Sequence, residues 1–345
     1  MSKSKSVQTA SNGFDFAADY FSAAEMIGHA ALFDSVACYD NGHYFEMPVN
    51  PHDLVKLLGT GVHHQSALGA KLNILTATFR PTRFLSRAEF KNFAFNYLVM
   101  GNAFLEAQTN RFGHVLTVKN RLALYMRRAS NLRDYVYLRD RLTSDVRADG
   151  FERIPGRQVV HLMQPDLRQE IYGVPHYLSA LNSIELNNGA TMFRRRYYEN
   201  GSHAGFIFYA TDPAINEADW ENIKQQMRQA KGDGNFKNLY LRSSNGTPEG
   251  IKLIPIADVA AKDEFLNIKA ISADDMLAIH RVPPKLMGIV PKNAGSLGDG
   301  ITDARVFAAN EIAPIQRDLE AVNEMFGLTV IEFDEYKIDR GDDTK

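Results

Sequence analysis

Cysteine is almost missing from this 345-residue chain: Cys38 is the only one, which excludes an internal disulfide and every multi-cysteine zinc site. So few thiols suit a reducing compartment, and Cys38 itself reads as a small buried apolar residue. An excess of one charge is missing too. Lys and Arg number 39 against 41 Asp and Glu, for a net charge of -2. That excludes a surface built to grip nucleic acid over its whole extent and leaves only local or loose contact. Neither the polar start MSKSKSVQTASNG nor any later stretch has the apolar run of a signal peptide or a membrane helix. The expectation is a soluble chain with no membrane partner and a disordered segment over residues 1-25. What is present is a 45% hydrophobic composition, enough for packed cores, over a length that implies two or three packed units.

Catalytic constellations are scarce. His63 and His64 are adjacent, so their rings diverge on a helix or strand, and a third metal ligand is missing. Asp263-Glu264 and Asp274-Asp275 are read as helix-start carboxylates that offset the dipole. No catalytic, cofactor or metal residue is assigned, and the chain is expected not to be an enzyme. One segment keeps an alternative open. Residues 291–300 read PKNAGSLGDG, and glycines before a helix can cradle a phosphate. From Gly295 to Thr302 the spacing approaches a phosphate-binding loop, but Ile301 stands where its lysine belongs. The alternative is a nucleotide-binding enzyme using residues 295–302; a scaffold or adaptor that forms no pore is a third reading.

Periodicity gives the organisation. Ser86 and Glu89 have capping-box spacing, and Phe90, Phe93, Ala94 and Tyr97 follow at helical intervals, predicting a helix from Arg87 to about Val99. AFLEAQ and HVLTVKN flank the turn-rich Thr109–Gly113 and predict a hairpin, which LALYMRR, DYVYLRD and QVVHLMQ extend into one small sheet. After Pro175 a helix runs to about Glu199. Next come a strand (AGFIFYA), a helix (NEADWENIKQQMRQA) and two more strands (FKNLYLR, IKLIPI). A second long helix returns from Val259 to His280, with Ser272 and Asp275 placed to restart it after a bend. A last helix runs from Thr302 to Phe326; Ile312, Ile315, Leu319, Val322 and Phe326 form its apolar seam, Pro314 should kink it, and Gly327 ends it. LTVIEF reads as a closing strand.

YGVPHYLSALNS, FRRRYYENGSHAG, NFKNLYL, KDEFLNIK, HRVPPKLMG and NAGSLGD, in this order and spacing, resemble the portal proteins of tailed bacteriophages, specifically the PBSX-like portals of contractile-tailed phages. The resemblance runs from about Leu32 to Phe333. It implies an α+β portal fold: a wing over 26-174, stem helices over 175-200 and 259-282, a small α/β clip over 201-258, a tunnel loop over 283-300, a long kinked wing helix over 301-327, and a strand and tail over 328-345 with little or no crown. It further implies a ring oligomer, usually a dodecamer, at one capsid vertex of the virion, assembled in the host cytoplasm. Double-stranded DNA would pass through its channel during packaging and ejection. The implied partners are the terminase large subunit, the major capsid and scaffold proteins, and head-completion or adaptor proteins. Near-neutral composition suits a pore that must not hold DNA, since each neutralised phosphate would brake translocation.

The glycine segment then has a use. Gly295, Gly298 and Gly300 would make a pliable collar facing the DNA, with Lys285, Lys292, Asn293 and Ser296 beside them. Arg194, Arg195 and Arg196 fan around one helix over roughly 200° and are assigned to the subunit interface, where Arg suits bidentate carboxylate contacts.

Overall fold

The computed structural model describes residues 38–138, 150–199, 206–210, 251–255, 260–288 and 300–336. The expected disordered start, the 216–230 helix, the FKNLYLR strand and the final tail lie outside them.

Local chemistry fixes the first elements. Strand β1 (Tyr44–Phe45) precedes helix α1 (Pro51–Thr60), where the Asn50 side chain accepts the His52 N–H at 3.0 Å and Pro51 occupies the first turn. Helix α2 (Val62–Thr78) runs into the two-residue strand β2 (Phe79–Arg80). Helix α3 (Arg87–Met100) starts as its capping box predicts: the Ser86 hydroxyl accepts the Glu89 N–H at 3.3 Å. The Glu89 carboxylate does not turn back on its own helix. It accepts the Asn120 N–H at 2.8 Å and so ties α3 to the neighbouring sheet. Gly101, at φ +64°, ends α3 in the left-handed conformation that glycine adopts without strain.

The predicted hairpin is present as β3 (Asn102–Thr109) and β4 (Val115–Arg121), joined by a turn in which the Asn110 side chain accepts the Phe112 and His114 N–H groups. The single sheet expected to follow is in fact two. Strands β5 (Met126–Ala129), β6 (Tyr135–Leu138) and β7 (Phe151–Ile154) pair with β1 in the order β1-β5-β6-β7, while β8 (Val159–Met163) returns to β3 in the order β4-β3-β8. Both sheets are antiparallel, with Phe104 opposite His161 in the β3–β8 register. Helices α2 and α3 bury Leu68, Leu75, Phe90 and Phe93 against them in one core. Phe79 stacks on Phe90 at 3.9 Å, and Phe333 meets both rings edge-on.

A 3-10 turn (His176–Ala180) leads into α4 (Leu181–Glu199). Strands β9 (Phe206–Ala210) and β10 (Ile251–Pro255) form an antiparallel pair, and α5 (Ala260–Ile279) packs along α4. The bend expected at Ser272 is absent because its hydroxyl donates to the Ile268 carbonyl at 2.7 Å within an unbroken helix. Asp274 and Asp275 accordingly lie well inside α5, not at a helix start; Asp275 accepts the Ser183 hydroxyl from α4.

The last helix is interrupted as Pro314 requires. Helix α6 (Gly300–Phe307) passes through a π-helical turn (Ala308–Ile312) into α7 (Ala313–Phe326). Pro314 has no N–H for the Asn310 carbonyl, and the wider turn absorbs the lost bond. Leu319 and Val322 are fully buried, and Gly327 (φ +62°) ends the helix. Strand β11 (Glu332–Phe333) then pairs with β2 and closes the core. Among the described residues no helix is long and apolar enough to cross a membrane.

Candidate functional site

The chain changes role at one crossing of backbones. Tyr172–Pro175 leaves the sheets for α4 and passes over the end of α3 so closely that a Cβ on Gly173 would lie 2.2 Å from the Gly101 carbonyl oxygen. Asn102 locks this crossing. Its side chain accepts the Gly173 N–H at 2.8 Å and donates to the Gly173 carbonyl at 2.8 Å and the Met100 carbonyl at 2.9 Å. His161 Nε2 donates to the same Asn102 oxygen at 2.9 Å from a half-buried position, and desolvation of the ring, with the nearby Arg128 charge, pushes its pKa down to about 3. Helix α4 departs from this fixed point.

Polar contacts set the register of that helix pair. Asn187, buried on α4, donates to the Ser272 hydroxyl at 2.8 Å and to the Lys269 carbonyl at 3.0 Å. A buried amide that needs two such partners penalises every slipped register. The pair also shows apolar side chains to the outside: Leu186 on α4 is 52% exposed and Ile271 on α5 63%. Arg194 and Arg195 lie exposed further along α4; nothing is described of the Arg196 side chain.

Where α5 returns, it ends on a charged cluster. Arg281 holds φ +54°, unusual for a non-glycine residue, and its guanidinium reaches Glu311 at 3.2 Å. The other Glu311 oxygen accepts from Lys71 at 2.5 Å; Lys71 is 5% exposed, and burial pulls its pKa down against the pull of Glu311 upward. His280 meets His64 of α2 with Nε2 to Nδ1 at 2.8 Å, both rings buried. A cavity of about 360 Å³ opens beside them, bordered by Lys71, Tyr97, His176, Arg281, Glu311 and Asp318. Among the described residues no group of three potential metal ligands comes together.

The glycine-rich segment hangs from this cluster. Pro284–Met287 form a 3-10 turn closed by Gly288 at φ +70°, and Lys285 pairs with Asp303 of α6 at 3.3 Å, which joins the segment's two ends. Gly300 is the first residue of α6. Lys292, Asn293, Gly295, Ser296 and Gly298 lie outside the described residues. Sequence reasoning passed over Lys71, His280, Arg281 and Glu311. The available signals were an arginine just past a helix end and a lysine at a position otherwise spaced for the core.

The family model described as phage portal protein matches residues 69–345. A probable portal protein of Escherichia phage P2 is 44% identical over 312 residues, covering 90% of this chain and 89% of that protein. A probable portal protein of Haemophilus phage HP1 is 36% identical over 306 residues, covering 88% of each chain. Among solved structures, an HK97-family phage portal protein from Corynebacterium diphtheriae superposes with a TM-score of 0.57 at 11% identity, over 81% of this chain and 94% of that one. A chain in the neck of a native gene transfer agent particle, computed with C12 symmetry, gives 0.54 at 18% identity, over 83% and 84%.

Proposed function

The chain belongs to the phage portal protein family and serves as a portal vertex subunit, and from that premise we propose that it closes into a twelvefold ring whose channel passes double-stranded DNA during packaging and ejection. Residues 26-174 are the wing, α4 and α5 the stem, 201-258 the clip, 283-300 the tunnel loop and 301-327 the kinked wing helix. The observation that carries this reading is the helix pair α4–α5, pinned to the wing at Gly173 and Asn102 yet presenting Leu186 and Ile271 outward. Such a face is half a heterologous contact: in a ring, one side of each stem meets the other side of the next. The C12 symmetry of the gene transfer agent neck supports the same subunit count. Arg194, Arg195 and Arg196 extend this contact towards the clip.

The family is structural, and the chain itself is proposed to have no enzymatic activity; ATP hydrolysis during packaging belongs to the terminase large subunit, which docks at the clip before head-completion or adaptor proteins replace it. Capsid and scaffold proteins meet the wing. The collar role falls to the segment between Gly288 and Gly300, whose ends the Lys285–Asp303 pair holds together. Lys285 is thereby drawn towards a carboxylate, which leaves Lys292, Asn293 and Ser296 as the polar residues of the collar. Particles of the purified chain viewed by negative-stain microscopy should be closed rings, and the chain should not bind ATP. Monomers under assembly conditions, or ATP bound through residues 295–302, would overturn the proposal.

A further inference from the structure

Two consecutive residues end the returning stem helix, and both are held by polar partners inside the wing. His280 sits against His64 with nitrogens 2.8 Å apart, and Arg281 reaches Glu311, which Lys71 grips from the other side. His64 and Lys71 are seven residues apart, two turns of α2, and so share one helix face. We propose that this contact is a proton-operated clasp, closed while the two imidazoles are neutral and opened when the pair takes up a proton, freeing the end of the stem helix from the wing.

The geometry leaves no good place for that proton. His64 is fully buried, His280 2% exposed, and the pair already uses one hydrogen bond between its own nitrogens. The other ring nitrogen of His64 has no hydrogen-bond partner among the described residues. Tyr177, from the 3-10 turn, lies edge-on to His64 at 4.5 Å and spends its hydroxyl on the Val99 carbonyl at 2.5 Å. From α4, Ile184 packs beside Gly61, the cap of the α2 turn that carries His64, with Glu185 next along the chain. Lys71, Arg281 and Glu311 together carry one net positive charge before any histidine is protonated, and Lys71 acts directly on His280. Asp318 lines the same cavity but accepts the Tyr97 hydroxyl at 3.1 Å. Every resolved influence on the two rings acts downward: burial first on both, then for His280 the other imidazole and Lys71, giving about 4 for His64 and about 3 for His280.

The sign follows directly. A free histidine protonates near pH 6.5, so a form in which the rings reach water binds protons that the closed form refuses, and opening becomes easier as pH falls below 6.5. For His64 alone, with a closed-state value of about 4, opening should be on the order of 30-fold more favourable at pH 5 than at pH 7.5. Release of the left-handed strain at Arg281 acts in the same direction.

The test is amide hydrogen exchange on the full chain, each rate divided by its intrinsic rate at that pH. Between pH 7.5 and 5.0, protection of residues 277–282 should fall by at least tenfold, and His64→Gln with His280→Asn should remove that fall without altering the pH dependence of the β3 and β8 amides, which His161 sets. Protection at 277–282 that is flat with pH would overturn the clasp. So would a folded double variant that keeps the wild-type pH dependence at 277–282; if that variant does not fold, His64→Gln alone decides by the same comparison.

Discussion

Replacing Gly173 by alanine should unfold the junction from which α4 departs. The added Cβ would lie 2.2 Å from the Gly101 oxygen and 2.6 Å from both the nitrogen and the oxygen of Gln164, whereas real Cβ contacts essentially never fall below 3.0 Å. All three atoms belong to backbone, and the Gln164 N–H already donates to the Gly101 carbonyl at 2.8 Å, so no side chain can swing aside. Relief requires lifting Tyr172–Pro175 off α3, which breaks both Asn102 bonds to Gly173 in a site only 2% exposed. Stranding buried polar groups costs about 1–3 kcal/mol each, and overpacking adds a similar amount, so a loss of roughly 3–5 kcal/mol is expected. Urea titration followed by circular dichroism measures it, with Asn102→Ala and the double variant completing a cycle. Because both changes break the same bonds, the double variant should lose at least 1 kcal/mol less than the two losses added. A Gly173→Ala chain within 1 kcal/mol of wild type, or strictly additive losses, would refute the reasoning.

Three further outcomes are expected. Leu186→Glu with Ile271→Glu should leave the monomer's circular dichroism and melting unchanged, since both side chains are exposed, yet abolish the large closed assembly in mass photometry. Shortening Gly295–Gly300 should spare ring assembly while impairing DNA packaging or retention in an in vitro packaging reaction; normal packaging would remove the collar role. His161, held neutral by burial with a pKa of about 3 against an ordinary value near 6.5, contributes stability that is complete above pH 6.5 and declines as pH falls towards 3. The slope of stability against pH at pH 5 should drop by close to one proton in His161→Gln, read from urea titrations at stepped pH.

Much of this fold could be read from residue patterns because the relevant physics is local. The Ser86 cap, the Asn110 turn, the Gly327 stop and the interruption at Pro314 each depend on a few neighbouring residues, and each stands where its pattern placed it. Pairing between distant segments is not local. Strand patterns gave β5, β6 and β8 their extended form but not their partners, so two sheets read as one. Ser272 carried a capping signal that tertiary structure put to another use, the bond from Asn187. The polar cluster at the end of α5 was the least legible part. His64 and His280 stand 216 residues apart and Lys71 and Glu311 240, and nothing in spacing or periodicity links such pairs. The six segments that resemble portal proteins supplied the function, and the comparison over 90% of the chain bears that reading out.

The most direct measurement is electron cryomicroscopy of the assembled chain without imposed symmetry. A closed ring of twelve subunits is expected around a bore that admits a DNA duplex, with α4 and α5 meeting their neighbours across Leu186 and Ile271 and residues 289–299 turned inward. A particle that stays monomeric, or a ring that carries those residues on its outer rim, would contradict it.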